Sequence, residues 1–181
     1  MRAADLDENL IIRIAQGDGL AFQDLYHQTA GAVYGFALSI LKNRADAEDV
    51  MQEAYIKTYE GAVTYRPGGK PLAWILTIVR NLSYNKIRAG RVCEDISEYE
   101  SEAYVSDGVE AALDRHVLEK AIEILEFEER QIVILHAMTG LKHKEIAGIL
   151  VVPVGTVLSK YNRSLKKLRK AIEDSDENAG K

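Results

Sequence analysis

The sequence of 181 residues is poor in the residue types on which several common classes of protein depend. It contains one cysteine, Cys93, so no disulfide can form within the chain and a disulfide-stabilised fold is excluded. No apolar run approaches the ~20 residues needed to cross a bilayer. The chain also opens without the charged, apolar and small-residue pattern of a signal peptide. We therefore expect a cytoplasmic protein without membrane insertion.

Patterns for catalysis and metal binding are also scarce. The pair Gly69-Lys70 is similar to the end of a phosphate-binding loop, but Thr64 stands where that loop needs glycine, and Pro71 stands where it needs serine or threonine. The four histidines and Cys93 do not have the spacing of a zinc site. We predict that the protein is not an enzyme and that it holds no metal and no cofactor.

Acidic residues are missing from two windows of a chain whose formal net charge is -5. Residues 61–93 and residues 156–172 contain no Asp or Glu, and each window holds six Lys or Arg residues. A nucleic acid responds to the potential within about a Debye length, ~8 Å at physiological salt, and not to the net charge of the whole molecule. Both windows therefore predict surfaces that face phosphates.

Apolar residues recur at spacings of three and four along most of the chain, which is the period of an α-helix. Asn43 is predicted to end the second helix and Asp46 to cap the third. We predict an all-α fold. The predicted helices are those of residues 6–14, 21–41, 46–61, 72–88, 117–125, 129–138, 142–150 and 155–172.

An acidic segment divides the chain into two parts. Residues 94–114 contain eight carboxylates and no basic residue, which is typical of a flexible linker. The prediction is two small helical domains, at 1–93 and 114–173, joined by an acidic linker at 94–113. The polar tail, residues 174–181, is expected to be frayed.

The second basic window begins at a pattern typical of a helix-turn-helix. Pro153 disfavours helical geometry at the residue before it, and Gly155 reopens a helix after that interruption. The second helix of such a unit places its N-terminal residues in the major groove. The alternative is an ordinary helical hairpin with a solvated basic face, which the acid-free second helix makes less favourable. The predicted DNA-contacting residues are Thr156, Leu158, Ser159, Lys160, Arg163 and Lys167.

The first basic window interleaves aromatic and cationic residues, and such a surface can hold unstacked bases of a single strand. The spacing of its polar residues places them on one side of the helix that follows the Pro/Gly loop at 65–71. Trp74 is interpreted as a core residue more than as a platform for bases. The predicted DNA-contacting residues are Tyr65, Arg66, Lys70, Arg80, Asn81, Tyr84, Asn85 and Arg88.

Three segments, in this order, resemble the extracytoplasmic-function group of bacterial sigma factors. Residues 46–55 resemble the acidic helix with which that group binds the clamp helices of the largest polymerase subunit. Residues 71–81 are similar to its helix for the minus-ten element, and residues 153–160 to its helix for the minus-thirty-five element. The residues that the resemblance implies for polymerase binding are Asp46, Glu48, Asp49, Gln52 and Glu53.

The same resemblance implies that the chain directs core polymerase to promoter DNA and helps to melt it, with the flap of the second-largest subunit as a further contact. Members of the group commonly have an inhibitory anti-sigma partner. The alternative function is a stand-alone helix-turn-helix regulator. In that case the helices of residues 21–88 would form a sensor or dimerisation domain.

Three residues depart from the pattern of that group. Val151 stands where glycine is usual in the turn, and it would be strained if the turn needs a positive φ. Leu158 replaces a common basic residue, which weakens the expectation of a base contact there. Phe127 replaces a proline and is expected to lengthen a helix without harm.

Overall fold

The computed structural model describes residues 6–92 and 123–179, and these residues form helices without any β-strand. The predicted linker at 94–113 lies outside the described residues, as does most of the helix expected at 117–125. The α-helices are α1 (Glu8–Ala15), α2 (Gly19–Leu41), α3 (Arg44–Gly61), α4 (Pro71–Val92), α5 (Phe127–Thr139), α6 (His143–Leu150) and α7 (Val154–Ala179), with a short 3-10 turn at Ala62–Thr64.

The boundary between α2 and α3 differs from the prediction. Lys42 takes a left-handed conformation, with φ of 56°, and ends α2. Asn43 is the N-cap of α3, because its side chain accepts a hydrogen bond from the amide of Asp46 at 3.0 Å. The prediction that Asp46 is the cap was wrong. Asp46 lies in the first turn instead, where a carboxylate is favoured by the helix dipole.

The end of the chain also differs from the prediction. The tail expected to be frayed from residue 174 is helical through Ala179, as the last part of α7. The reason lies in composition, because no glycine or proline occurs between residues 156 and 179 to end the helix. Gly180 is the first residue that favours a stop.

Helices α1 to α4 form a first unit around α2. Helices α1, α3 and α4 all pack against α2. Its centre is Phe36, which has no exposed surface, packed with fully buried side chains of neighbouring helices. Each such side chain contributes about 1.5–3 kcal/mol relative to exposure. The buried apolar residues of this unit include Leu25, Val33, Ile75, Leu76 and Val79.

Helices α5 to α7 form a second unit. The short helix α6 lies against α7, and α5 covers both of them. The core consists of Ile132, Leu135, Ile146 and Val157, each with at most 1% of its surface exposed. The buried side of α7 is thereby fixed, and with it the side that faces outward.

The two units pack directly against each other. Helix α5 lies along α2, and α6 lies against α4. At Gly35 of α2 the missing side chain makes room for Met138 of α5. Arg130 of α5 is buried and donates from Nε to the carbonyl oxygen of Ser39 at 2.6 Å. Burial lowers the pKa of the Arg130 guanidinium.

The described ranges, 6–92 and 123–179, contain no helix that is both long and apolar enough to cross a membrane. In those same ranges no three His, Cys, Asp or Glu side chains gather as a metal site would require.

Candidate nucleic-acid and partner interfaces

Helices α6 and α7 form the helix-turn-helix that the sequence predicts. Helix α6 ends at Leu150, and Val151 follows in the left-handed region with φ of 58° and ψ of 47°. The amide of Val152 then donates to the carbonyl oxygen of Ala147 at 3.1 Å, which closes the turn. Since Val151 has a positive φ, the strain expected for this residue is present in the turn.

Three of the six predicted helix-turn-helix residues are exposed on the outward face of α7. Leu158 is 43% exposed, and Ser159 and Arg163 are exposed beside it. Two further residues, Asn162 and Lys166, lie exposed on the same face and were missed by the sequence prediction. The signal that could have found them is their spacing of three and seven residues from Ser159.

The other three predicted residues of α7 are half-buried. Lys160 forms an ion pair with Glu128 of α5 at 2.9 Å, and its side chain is 24% exposed. Lys167 lies 2.6 Å from Glu129, whose side chain has no exposed surface. The hydrogen bond with Glu129 raises the pKa of Lys167. Thr156 is half-buried, and its carbonyl oxygen accepts from the hydroxyl of Ser159 at 3.0 Å.

Two histidines and a tyrosine brace the helix-turn-helix from inside. The rings of His136 and His143 stack with centroids 4.9 Å apart, and Tyr161 of α7 packs edge-on against both at 4.8 Å. His136 Nδ1 lies 2.9 Å from the carbonyl oxygen of Leu141. Burial, together with the nearby His136, lowers the pKa of His143. The cluster therefore favours the neutral form of His143.

Helix α4 gathers the polar residues of the first basic window on one face. The guanidinium of Arg80 lies 4.7 Å from the ring centroid of Tyr84, in a cation–π contact. Arg80 also approaches the side-chain oxygen of Asn81 at 3.5 Å. One turn further on, Arg88 donates to the side-chain oxygen of Asn85. The face combines cations, amides and one aromatic ring.

The loop between the 3-10 turn and α4 carries the other three predicted residues of this window. Arg66 and Lys70 are exposed, whereas Tyr65 is half-buried against Trp74 with ring centroids 5.0 Å apart. Trp74 is packed between this ring and Gly61, as its interpretation as a core residue predicts. Lys70 reaches across to the second unit and forms an ion pair with Glu145 of α6.

The acidic helix α3 is linked to α4 by a residue that the sequence prediction did not include. Lys86 of α4 lies 2.8 Å from Asp49 and 2.9 Å from Asp46. Burial alone would lower the pKa of Lys86, but these two hydrogen bonds raise it. Glu53 pairs with Lys57 at 3.5 Å on the exposed side of α3, next to Gln52. Glu48 is half-buried.

Comparison with known protein families matches the two units to two regions of one family. The profile of Sigma-70 region 2 matches residues 25–92, and that of Sigma-70 region 4 matches residues 115–168. The two matches together cover about two thirds of the chain and contain α3, α4 and the helix-turn-helix in the expected order. The chain belongs to the extracytoplasmic-function group of the sigma-70 family.

Related proteins resemble the sigma factor over nearly its whole length. The ECF RNA polymerase sigma factor SigK of Mycobacterium bovis is 26% identical over 96% of each chain. The RNA polymerase sigma factor CarQ of Myxococcus xanthus is 27% identical over 88% of this chain and 94% of CarQ. The fold is similar to that of RpoE from Bartonella quintana, solved in complex with the anti-sigma factor NepR, with a TM-score of 0.68 at 23% identity over 84% of this chain and 96% of RpoE.

An apolar groove of the sigma factor lies beside the acidic residues of α3 and was missed by the sequence prediction. It is an open cleft of about 600 Å³ between α2 and α3. Ile56 is 58% exposed and Tyr59 is 48% exposed at its rim, although both are apolar or aromatic. Their exposure could not be predicted from the sequence, because both residues fit the apolar stripe that a helix normally buries. The residues that line the groove are Phe22, Tyr26, Met51, Gln52, Tyr55, Ile56, Tyr59 and Glu60.

The contact between the two units of the sigma factor involves two predicted DNA-contacting residues. Lys70 is paired with Glu145, and the ring of Tyr84 meets the ring of Phe127 edge to face, with centroids 6.0 Å apart. Burial alone would raise the pKa of Glu145, but hydrogen bonds from Lys70 and from the amide of Lys142 lower it. In this arrangement Lys70 and Tyr84 of the first unit therefore contact the second unit.

Proposed function

We propose that this sigma factor reads two promoter elements with its two units and docks on core polymerase through α3. Its role in directing transcription initiation follows from its family, and sigma factors are transcription factors without catalytic activity of their own. We place that action in the cytoplasm, where core polymerase works.

The outward face of α7 is the observation on which the proposal depends. Leu158, Ser159, Asn162, Arg163 and Lys166 share one exposed face, with no carboxylate between residues 156 and 172. A helix of this kind fits the width of the major groove, and its cations can approach phosphates without a carboxylate beside them on the same stretch of helix. We assign this face to the duplex of the minus-thirty-five element.

The exposed face of α4 and the loop before it are assigned to the minus-ten element. Arg80, Asn81, Tyr84, Asn85 and Arg88 provide amide and guanidinium donors together with an aromatic ring. Unstacked bases bind to such surfaces by stacking and by hydrogen bonds to their edges. The melted strand is therefore the ligand that this face fits best.

Helix α3 and the groove beside it are assigned to the polymerase. Asp49, Gln52 and Glu53 are exposed polar residues, and Ile56 and Tyr59 continue the same surface as an apolar patch. An apolar centre with a charged rim is typical of protein interfaces, in which the charges govern encounter and register. Core polymerase, with basic residues opposite these carboxylates, is the proposed partner.

We also propose that an inhibitory protein binds the groove beside α3. The similar RpoE is held by the anti-sigma factor NepR, and exposed apolar surface at Ile56 and Tyr59 would suit a protein that competes with polymerase for α3. Such a partner would lower the amount of holoenzyme without contacting DNA.

Transcription from a promoter library with the purified chain and core polymerase tests the function. The expected result is start sites that depend on the chain, together with weak duplex binding by the chain alone and strong binding once core polymerase is added. A stand-alone regulator would instead hold its duplex site unaided and leave start sites unchanged. Ile56→Asp, at the rim of the groove, should reduce core binding, while Lys57→Ala on the same helix serves as a control.

A further inference from the structure

A carboxylate of the first helix holds the loop that precedes α4. Glu8 lies in the first turn of α1, and one of its oxygens, Oε1, accepts three hydrogen bonds from the loop. The hydroxyl of Tyr65 donates at 2.8 Å, the amide of Gly68 at 2.8 Å and the amide of Gly69 at 3.2 Å. One atom therefore ties both ends of the segment from Tyr65 to Gly69.

The loop needs such a tie because its own sequence does not fix its shape. Gly68 has a φ of 93°, a conformation that glycine adopts at little cost but also leaves easily. Between the tied points lie Arg66 and Pro67, whose side chains are exposed. A hydrogen bond to a charged acceptor is stronger than one to a neutral acceptor. The carboxylate therefore selects one shape of a loop that could adopt many.

The environment of Tyr65 agrees with this arrangement. Burial, with the hydrogen bond to Glu8, raises the pKa of the Tyr65 phenol to about 12. The phenol consequently remains a donor toward Glu8 throughout the physiological range. Its ring packs on Trp74 at the start of α4, so the loop is connected to both α1 and α4.

We infer that Glu8 is a positioning residue for reading the minus-ten element: it holds the 65–70 loop in the shape that receives an unstacked base. This inference rests on the proposed function of the loop and deepens it. Helix α1 lies before residue 25, where the match to Sigma-70 region 2 begins, so that match assigns no role to Glu8. The inference extends the DNA-reading apparatus to the first helix.

The same geometry predicts how the loop meets DNA. The amides of Gly68 and Gly69 would be donors for a phosphate if Glu8 were absent, because adjacent backbone amides form anion-binding sites. In the described structure the carboxylate occupies them. The loop therefore contacts the promoter through the side chains of Arg66 and Lys70, and not through these amides.

Hydrogen exchange of the free chain tests the geometry without reference to DNA. The amides of Gly68 and Gly69 should exchange at least several-fold faster in Glu8→Ala than in the wild type, because the protecting acceptor is gone. Glu8→Gln, which keeps an acceptor oxygen, should be intermediate. Asp24→Ala, which removes an exposed carboxylate of α2, should match the wild type. Equal exchange in all four proteins would overturn the inference whatever the function of the chain.

Base discrimination by the holoenzyme tests the role in reading. Single-stranded oligonucleotides with the minus-ten element, each with one base changed, are titrated against holoenzyme that contains wild type, Glu8→Ala, Glu8→Gln or Tyr65→Phe. We expect Glu8→Ala to reduce discrimination roughly tenfold at one or two positions, as the loss of charge-assisted hydrogen bonds implies. Glu8→Gln should recover part of it, and Tyr65→Phe should lose less than Glu8→Ala.

The outcomes separate the inference from the function on which it rests. Binding of core polymerase and of the minus-thirty-five duplex should be unchanged in every variant. A uniform loss of all three activities would show a general structural role and refute the inference, and tighter DNA binding by Glu8→Ala would show that the carboxylate blocks a phosphate site. If the wild-type holoenzyme itself selected no start site, the proposed function would fail, while the exchange experiment would still decide the geometry.

Discussion

At the scale of single residues, Val151 has a side chain that its backbone conformation disfavours. A residue branched at Cβ in the left-handed region costs roughly 1–2 kcal/mol relative to a residue that adopts it freely. The side chain is 74% exposed, so it contributes little burial in return. The turn between α6 and α7 is therefore less stable with valine at position 151 than it would be with a residue that adopts a positive φ freely.

Val151→Gly is expected to raise the free energy of unfolding by about 1 kcal/mol, since relief of strain exceeds the backbone entropy that glycine adds to the unfolded chain. The midpoint of urea unfolding measures it. Val63→Gly is the matched control, because Val63 is also 74% exposed but has an ordinary φ. This control should lose stability. A lower midpoint for Val151→Gly than for the wild type would contradict the strain argument.

His143 gives the protein a pH dependence at the residue scale. Its pKa in the folded state is lower than the ordinary value of 6.5, through burial and the nearby His136. The unfolded chain therefore binds more protons than the folded chain in the window just below pH 6.5, and stability must fall as the pH decreases through that window. Above that pH window, protonation of His143 no longer lowers the free energy of unfolding.

Replacement of His143 with phenylalanine should flatten this dependence, because the ring contact with Tyr161 is kept and the titrating group is removed. Urea midpoints between pH 5 and 8 are compared for His143→Phe, the wild type and His27→Gln, which changes an exposed histidine of α2. The wild type and His27→Gln should lose stability in parallel toward low pH. An unchanged slope in His143→Phe would disprove the assignment.

At the scale of helices, α7 shows that a basic helix need not present all its cations to DNA. Arg163 and Lys166 face outward, whereas Lys167 lies against the buried carboxylate of Glu129. Lys167 donates to Glu129 Oε2 at 2.6 Å, whereas Glu129 Oε1 has no hydrogen-bond partner among the described residues. The two kinds of cation should respond differently to substitution.

Arg163→Ala should weaken binding of holoenzyme to the minus-thirty-five duplex by about 1–3 kcal/mol if it reads a base, or lower the salt slope by about one unit if it meets a phosphate. Lys167→Ala should change DNA binding less and stability more, because Glu129 would remain buried and unpaired. Duplex titrations at several salt concentrations and urea midpoints measure both effects. Equal loss of DNA affinity in the two variants, with equal stability, would refute this division.

The positions of the helices could largely be predicted from the sequence, because apolar spacing, glycines and prolines act locally. The failures were at ends, where several residues compete: Asn43 outcompeted Asp46 for the cap, and the polar residues after 173 continued α7. The face of α4 was also predictable from spacing. Whether Lys160 and Lys167 face outward was not predictable, because it depends on carboxylates of α5 that lie 32 and 38 residues away in the sequence.

Contacts between distant segments were beyond sequence reasoning for the same reason. The hydrogen bonds of Glu8 join residues separated by 57 to 61 positions, and Arg130 meets Ser39 across 91 positions. No periodic pattern relates such pairs, since each depends on how whole helices pack. The groove at Ile56 and Tyr59 was not predictable for the same reason, because it depends on how α2 and α3 pack.

At the scale of the whole molecule, the direct packing of the two units bears on promoter binding. The predicted linker of about 20 residues can extend to roughly 65 Å, which is enough to span about 19 base pairs at ~3.4 Å each. In the described residues the two units contact each other directly, because α5 lies on α2 and α6 on α4. Under the proposed function we expect the units to separate when both elements are read together, which would release Lys70 and Tyr84 from their contacts with the second unit.

Gly35→Leu is expected to separate the units, because a side chain at this position would collide with Met138 and approach Ile134, both of α5. The radius of gyration measured by X-ray scattering should increase, and the free chain should bind a minus-ten single strand more tightly. Gly31→Leu lies one turn earlier on α2 in open space and should leave both unchanged. An unaltered radius in Gly35→Leu would mean that the contact adapts without opening.

The bridge from Lys86 to Asp46 and Asp49 has a consequence for how docking is communicated to the promoter. It joins the helix proposed to dock on the polymerase to the helix proposed to bind the melted strand. A displacement of α3 upon assembly is therefore expected to shift α4 in the same direction. Placement on the polymerase would then influence where the strands open.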